Sequence, residues 1–436
     1  MKLQSFEQID EKLYTETLAN GLRVCILPKK GFSKTYVTFT THYGSIDRHF
    51  VPLGEEDPIE VPDGIAHFLE HKMFEKEDGD VFQKFSQKGA SANAYTSFTR
   101  TAYLFSSTNH VYENTETLLD FVQTPYFTEK SVEKEKGIIG QEITMYDDNP
   151  DWRLYFGTIE NLYEKHPVKI DIAGTVESIS HITAEHLYTC YNTFYHPSNM
   201  ILFVVGAVDP EKMMSFIREN QDRKEFAPKD SIARLYPEES IEASESAREI
   251  YMDVQKPKVM VGIKSSTNDL QGPEMMKEEL SIQLWMEMAF GRASKFYQSA
   301  YETSLIDDSF SFDFTLEKGY GFAIIGSDSP KPDELVKLIK QEISSSTNEW
   351  AYKEQDFERV KKKKIGQFLR ALNSLEFIAN QFTHYAFNGM ELFDVLPLLE
   401  KLTIEDVKQS VASLAGDEKQ TVFKVLPSTS QRDQNE

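Results

Sequence analysis

In "DGIAHFLEHKMF", residues 63–74, apolar Ile65, Phe68, Leu69 and Phe74 recur at helical spacing, and Asp63 stands where a side-chain cap would start the helix. Downstream, "VFQKFSQKG" is followed by two strand-like runs in "SANAYTSFTRTAYLFSST" and then by the helical "YENTETLLDFVQ". The second half repeats this order with "FYQSAYETS", "DSFSFDFTLEKGYGFAIIGSD" and "KPDELVKLIKQEI". Further on, "KEKGIIGQEI" in the first half matches "VKKKKIGQFL" in the second. The pattern reads as two copies of one α+β unit, each a mainly antiparallel sheet covered by helices. Between them "RENQDRKEFAPKDSIARLYPEESIEASESAREI", residues 218–250, is charged, carries two prolines and has little apolar periodicity. The expected organisation is a first domain over 1–222, a linker over 223–249 and a second domain over 250–436.

Length agrees, since 436 residues exceed one ordinary core and suit two domains of about 200 residues each. The balance of 47 Lys+Arg against 70 Asp+Glu gives a net charge of -23. That charge repels phosphate backbones and anionic lipid, so neither nucleic acid nor membrane is an expected partner, whereas basic or neutral polypeptides are favoured. The N-terminal segment has acidic residues where a signal peptide needs an apolar run, and "MILFVVGAV" is too short to span a bilayer, so a cytoplasmic location is expected. Cys25 and Cys190 supply no disulfide framework or zinc knuckle and read as buried thiols. The lysines at 361–364 read as a solvated helix face.

The helix over 63–74 changes the picture, because His67 and His71 lie one turn apart on one side, close enough to bind one ion. Glu70 lies about 60° around from His67, where its carboxylate reaches a water on that ion without taking a ligand position. A catalytic zinc usually takes three protein ligands. The helical "VEKEKGIIGQEITMY" places Glu135 and Glu142 two turns apart along a face shared with Ile138, Ile139 and Met145. Carboxylates on a buried apolar face are costly without a compensating cation, which a metal would supply. The bland alternative is two surface histidines and a solvated glutamate. The repeat weighs against it: opposite "HFLEH" the second copy has "IQLWM", residues 282–286, and opposite Glu142 it has Phe368. One active and one degenerate copy, with one metal per chain, fits that loss better than chance placement.

Other readings fail. "DDNPDW" has Trp152 where a calcium loop needs glycine, "GYGFAI" lacks the third glycine of a dinucleotide fingerprint, and no P-loop occurs. His181 and His186 are five apart, poorly spaced to share an ion on one helix.

His67-x-x-Glu70-His71 has the inverzincin order. With Glu135, Glu142, "GASANAYTSFTRTAY" and "FYHPSNMILFVVGAVDPE", it closely resembles the pitrilysin/insulinase family of zinc peptidases, from about Leu13 onward. The resemblance implies two homologous domains forming half of a clamshell. It also points to the short branch that pairs two subunits around a chamber, as mitochondrial processing peptidase does. It makes His67, His71 and Glu142 the ligands of one Zn2+ per chain, Glu70 the general base, and Glu135 a supporting carboxylate. Ala92, Asn93, Ala94 and Tyr95 become the edge strand that receives a peptide substrate. The spacing from His71 to Glu142 is somewhat shorter than the family pattern. Many members also carry, in the C-terminal half, an arginine and a tyrosine seven residues on; "AYETSLIDDSF", residues 300–310, has no arginine. The implied partner is therefore a paralogous subunit that lacks the zinc motif and supplies that pair, with a homodimer as the alternative. The expected activity is zinc endopeptidase cleavage of short or unfolded polypeptides. Its rivals are a structural subunit without turnover and a peptide-binding module with structural zinc, which would have no need of Glu70.

Overall fold

The computed structural model describes residues 1–77, 79–228, 231–266 and 269–428. The chain opens with strands β1 (Lys2–Phe6), β2 (Glu11–Thr17), β3 (Arg23–Pro28) and β4 (Thr35–Thr41), then a short ribbon of β5 (His49–Phe50) and β6 (Ile59–Glu60). Helix α1 (Ile65–Met73) follows, then a second ribbon of β7 (Glu75–Lys76) and β8 (Gly79–Asp80), and α2 (Val81–Gln87). The hairpin β9 (Ser91–Thr96) and β10 (Thr101–Ser107) leads into α3 (Val111–Val122), α4 (Glu129–Asp147) and α5 (Pro150–Leu162). The first half closes with α6 (Val176–Ser180), α7 (Ala184–Phe194), β11 (Met200–Gly206) and α8 (Pro210–Asp222). The second half runs β12 (Ala247–Met252), β13 (Lys258–Lys264), α9 (Gly272–Phe290), α10 (Lys295–Glu302), β14 (Ser311–Glu317) and β15 (Tyr320–Asp328). It continues with α11 (Pro332–Asn348), α12 (Glu354–Ala371), α13 (Leu375–Phe387), α14 (Val395–Lys401), α15 (Ile404–Ala412) and β16 (Gln420–Pro427).

One sheet has the order β1-β2-β3-β11-β4-β10-β9 and the other β12-β16-β13-β15-β14. β3 pairs with β11, and β12 with β16, in parallel; the remaining pairs are antiparallel. The order β3-β11-β4-β10-β9 is thus reproduced, strand for strand and direction for direction, by β12-β16-β13-β15-β14. The helices between the strands repeat as well, α1 and α4 standing where α9 and α12 stand. The chain has the expected α+β architecture of two similar halves.

Compact units do not follow chain order. One comprises Met1–Ile143, Ile170–Tyr236 and Ala371–Phe387; the other comprises Thr144–Lys169, Pro237–Arg370 and Asn388 onward. Helix α13 therefore belongs with the first sheet, packing on β4 and β11, where Phe382 meets Phe203 at 4.5 Å between ring centroids. Every residue of β11 is buried, which is why "MILFVVG" reads as an unbroken apolar run rather than an alternating one. Helix α5 belongs with the second sheet, where Leu154 packs with Val254, Met260, Phe423 and Val425. Gly157 sits so close to β16 that a Cβ there would lie 2.3 Å from the Phe423 ring.

The charged segment between the halves is tied down at both ends. In the first unit Asp47, 2% exposed, accepts from Arg234 Nε at 2.9 Å and from Tyr236 Oη at 2.7 Å. In the second, Glu239 accepts the N–H groups of Glu164, Lys165 and His166 and pairs with buried Lys264 at 2.7 Å. Cys25 and Cys190 are buried thiols outside any disulfide.

Two local expectations need correction. Asp63 does not cap α1: the N-cap is Gly64 in a left-handed conformation (φ 87), where a Cβ would meet the Ala173 carbonyl oxygen at 2.4 Å, and Asp63 pairs with Arg48 at 3.1 Å instead. On α4 the face carrying Glu135 buries Val132, Ile139 and Ile143, whereas Ile138 and Met145 are exposed, at 46% and 59%. Both lie 60–80° or so around from Glu135 on the solvent side, given the 100° step per residue.

Candidate metal centre and active site

Helix α1 is buried on more than one side, with Phe68, Leu69 and Met73 fully inaccessible, so it cannot rotate to show its histidines to solvent. It holds His67 and His71 one turn apart, with ring centroids 4.6 Å from each other. Helix α4 brings Glu142 to both. His67 Nε2 lies 3.8 Å from Glu142 Oε1, and His71 Nε2 lies 3.6 Å from Glu142 Oε2. Among the described residues these three form the one such cluster, each offering a ligand atom within 4.8 Å of the others.

The donor set and its spacing fit zinc. The separations exceed ordinary hydrogen bonds, yet bonds of about 2.0–2.2 Å at tetrahedral angles put donor atoms roughly 3.4 Å apart, close to what is found. The tautomer also fits. His71 Nδ1 lies 3.2 Å from Glu135 Oε1. Because an ionised carboxylate only accepts, Nδ1 carries a proton, which leaves Nε2 as the nitrogen available to a metal once its own proton is displaced. His67 Nδ1 is buried without a hydrogen-bond partner, and its Nε2 is the atom turned to the cluster.

The electrostatics follow from burial and proximity. Burial, helped by neighbouring His71, pulls the His67 pKa down to about 4, so the ring is neutral and able to ligate near pH 7. Burial pulls His71 the same way, but its hydrogen bond to Glu135 and the charges of Glu70, Glu142 and Glu135 outweigh it and raise that pKa. Burial would raise Glu135, but His71 and Lys72 more than offset it and hold its carboxyl below the usual range. Glu70 is 9% exposed, and burial pushes its pKa up to about 7 despite the opposing charge of His71 and a hydrogen bond from Thr96. A carboxyl that titrates near neutrality is suited to taking and returning a proton.

Strand β9 is the last strand of its sheet, so one of its edges is open. Ala92, Asn93, Ala94 and Tyr95 all lie on it, paired on the inner side with Phe105, Leu104, Tyr103 and Ala102 of β10. The Ala94 N–H bonds to Asn93 Oδ1 at 2.9 Å, which places that donor on the open edge. Tyr95 turns its hydroxyl to Asn380 of α13 at 3.3 Å. The strand ends at Thr96, whose hydroxyl lies 3.2 Å from Glu70 Oε2, so the open edge leads directly to the cluster.

Sequence reasoning missed two contributors. Thr96 was invisible because its contact with Glu70 is purely tertiary. Lys72 stood one residue beyond the motif, and the clue was a lysine in a helix otherwise buried on that side; it is 0% exposed. The second sheet offers no counterpart: Ile282, Trp285 and Met286 of α9 and Phe368 of α12 are all buried apolar residues.

Comparison with known proteins agrees. The profile described as Insulinase (Peptidase family M16) matches residues 56–176, and the one described as Peptidase M16 inactive domain matches 181–364. A Bacillus subtilis protein named uncharacterized zinc protease YmfH is 59% identical over 422 residues, covering 97% of this chain and 98% of its own. A putative M16-like peptidase from Alicyclobacillus acidocaldarius superposes with a TM-score of 0.93 at 40% identity, over 96% of this chain and 99% of that one. The periplasmic protease PqqL of Escherichia coli, at 18% identity, shares the fold with a TM-score of 0.73; 97% of this chain is covered but 48% of that longer one. The chain belongs to the insulinase family, peptidase family M16, which takes in pitrilysin.

Proposed function

We propose that the chain is a zinc endopeptidase that holds one zinc through His67, His71 and Glu142 and cleaves short or unfolded polypeptides. The observation that carries this reading is the junction of three features at one place. A three-donor cluster, a buried carboxyl titrating near neutrality and the end of an open strand edge meet at Glu70 and Thr96. Zinc bound there supplies Lewis acidity, polarising a peptide carbonyl and lowering the pKa of water toward about 7.

The chain's own groups do the rest. The substrate adds to the outer edge of β9 as an extended strand, its carbonyl taking the Ala94 N–H from Asn93, so main-chain hydrogen bonds give affinity with modest sequence preference. Glu70 takes the proton of the attacking water on its carboxylate and returns it to the leaving amine. Thr96 fixes the orientation of Glu70, and Glu135 fixes that of His71. A net charge of -23 favours basic and neutral polypeptides. Segment 300–310 contains no arginine, so a second subunit completes the site, and a paralogue without the zinc motif fills that part.

Substituting Glu70→Gln tests the reading. The variant keeps zinc and loses cleavage by the roughly 10²- to 10⁴-fold typical of a lost general base. Retention of more than about a tenth of the wild-type kcat, set against that range, rejects Glu70 as the base.

A further inference from the structure

Lys72 is the most anomalous charge in the first unit. It is 0% exposed, among the largest fully buried side chains of the molecule, and one residue beyond the histidine pair. A buried ammonium costs several kcal/mol unless it is well paired, and a methionine or leucine would fill the same space without that cost. Its partners are two carboxylates. One is Glu75 at the start of β7, 38% exposed, which accepts a hydrogen bond from Lys72 Nζ at 2.5 Å; the other is Glu135, 10% exposed, whose Oε2 pairs with that ammonium at the longer distance of 3.6 Å. Glu75 keeps access to water and does not need a buried lysine. Glu135 is the partner that does, because it stands between two groups: Oε2 faces Lys72, and Oε1 faces His71 Nδ1 at 3.2 Å.

We propose that Lys72 is a positioning residue for the metal centre, its buried ammonium clamping the Glu135 carboxylate against His71 so that His71 Nε2 stays turned to the ligand cluster. The inference rests on the zinc reading above and extends it by one residue. A carboxylate behind a ligating histidine fixes its tautomer and ring angle, and losing such a group commonly costs 10- to 100-fold in metal affinity. Among the described residues Lys72 is the cation paired with Glu135 Oε2, and without it that pairing is lost and the carboxylate can turn from His71. Lys72 and His71 are adjacent on α1, so the clamp closes on the same helix that carries both histidines.

The test is a double-mutant cycle read by zinc affinity, using chelator competition on the full chain at fixed pH, with far-UV circular dichroism to verify folding. Lys72→Met preserves the length of the stem and is expected to weaken zinc binding by about tenfold or more, within the range for supporting residues. Glu135→Gln is expected to weaken it similarly. In the Glu135→Gln background Lys72→Met should add less than about twofold, because it acts through the carboxylate already removed. Cobalt-substituted protein gives a second readout: its visible absorption should change alike in both single variants. Wild-type zinc affinity in Lys72→Met overturns the proposal, as does an equal loss with and without Glu135. If Lys72→Met does not fold, Lys72→Gln carries the same cycle. Failure of the wild-type chain to take up zinc, by contrast, removes the zinc reading itself and the proposal with it.

Discussion

His71 uses its two ring nitrogens for different purposes, and the site depends on keeping them distinct. Nδ1 is committed to Glu135, which leaves Nε2 for the cluster completed by His67 and Glu142. Of the three candidate ligands Glu142 is the only carboxylate and lies near both histidines, so on the zinc reading it is the donor hardest to replace. Glu142→Gln should therefore release zinc, since a neutral amide is a poor ligand. Metal analysis after dialysis checks this; full occupancy at wild-type affinity would remove Glu142 from the ligand set. At this scale the sequence was informative where chemistry is local. The four-residue spacing of His67 and His71 and the place of Glu70 follow from helix geometry alone. Thr96 and Lys72 did not, because a hydroxyl at a strand end and a buried ammonium reveal their purpose only once α1, α4 and β9 are packed together.

Elements were legible to the extent that their periodicity was unbroken. The β9–β10 hairpin, α3, the β14–β15 hairpin and α11 fall on the segments whose apolar spacing announced them, and the repeat in the sequence returns as the repeat in strand order. What spacing could not convey is which sheet a helix joins, since α5 and α13 have ordinary amphipathic sequences whichever sheet receives them. The charged segment before β12 shows a further limit of apolar spacing. Its low periodicity reflects anchoring by single polar groups rather than by an apolar face. Glu239 is the clearest of these, gathering three N–H groups after α5 and the Lys264 ammonium. Burial alone would raise its pKa, but Lys264 and those N–H groups outweigh it and bring it to about 2 from 4.5. A carboxyl lowered on folding contributes stability above its unfolded pKa and loses it as the pH falls. Wild-type protein should therefore lose stability between about pH 4.5 and pH 2 in part through this group. Glu239→Gln should be less stable near pH 7, by on the order of 3 kcal/mol, and flatter across the acid range. Denaturant unfolding at several pH values measures both; an unchanged acid slope would show that Glu239 does not contribute.

The whole molecule is an acidic protein, and among its described residues there is one candidate metal-binding cluster and no helix long and apolar enough to cross a membrane. Its fold spans about half of the longer protease PqqL. On the proposed reading, the arginine that residues 300–310 lack comes from a second subunit, and an oxyanion donor of that kind is commonly worth 10²- to 10³-fold in kcat. The isolated chain should accordingly be weakly active, and a homologous subunit of similar length carrying that arginine should activate it. Mixing the two while following cleavage and sedimentation checks this; full activity from the chain alone, unchanged by the partner, would favour a homodimer that uses other residues. Central to the account is a single zinc that makes this chain a peptidase. The most direct measurement is a zinc titration of chelator-stripped protein, with and without the homologous subunit, following cleavage of an unfolded basic polypeptide. Cleavage that rises in proportion to zinc and levels off at one equivalent per chain is the predicted result. Cleavage by the stripped protein, or none at any zinc level in either form, would contradict it.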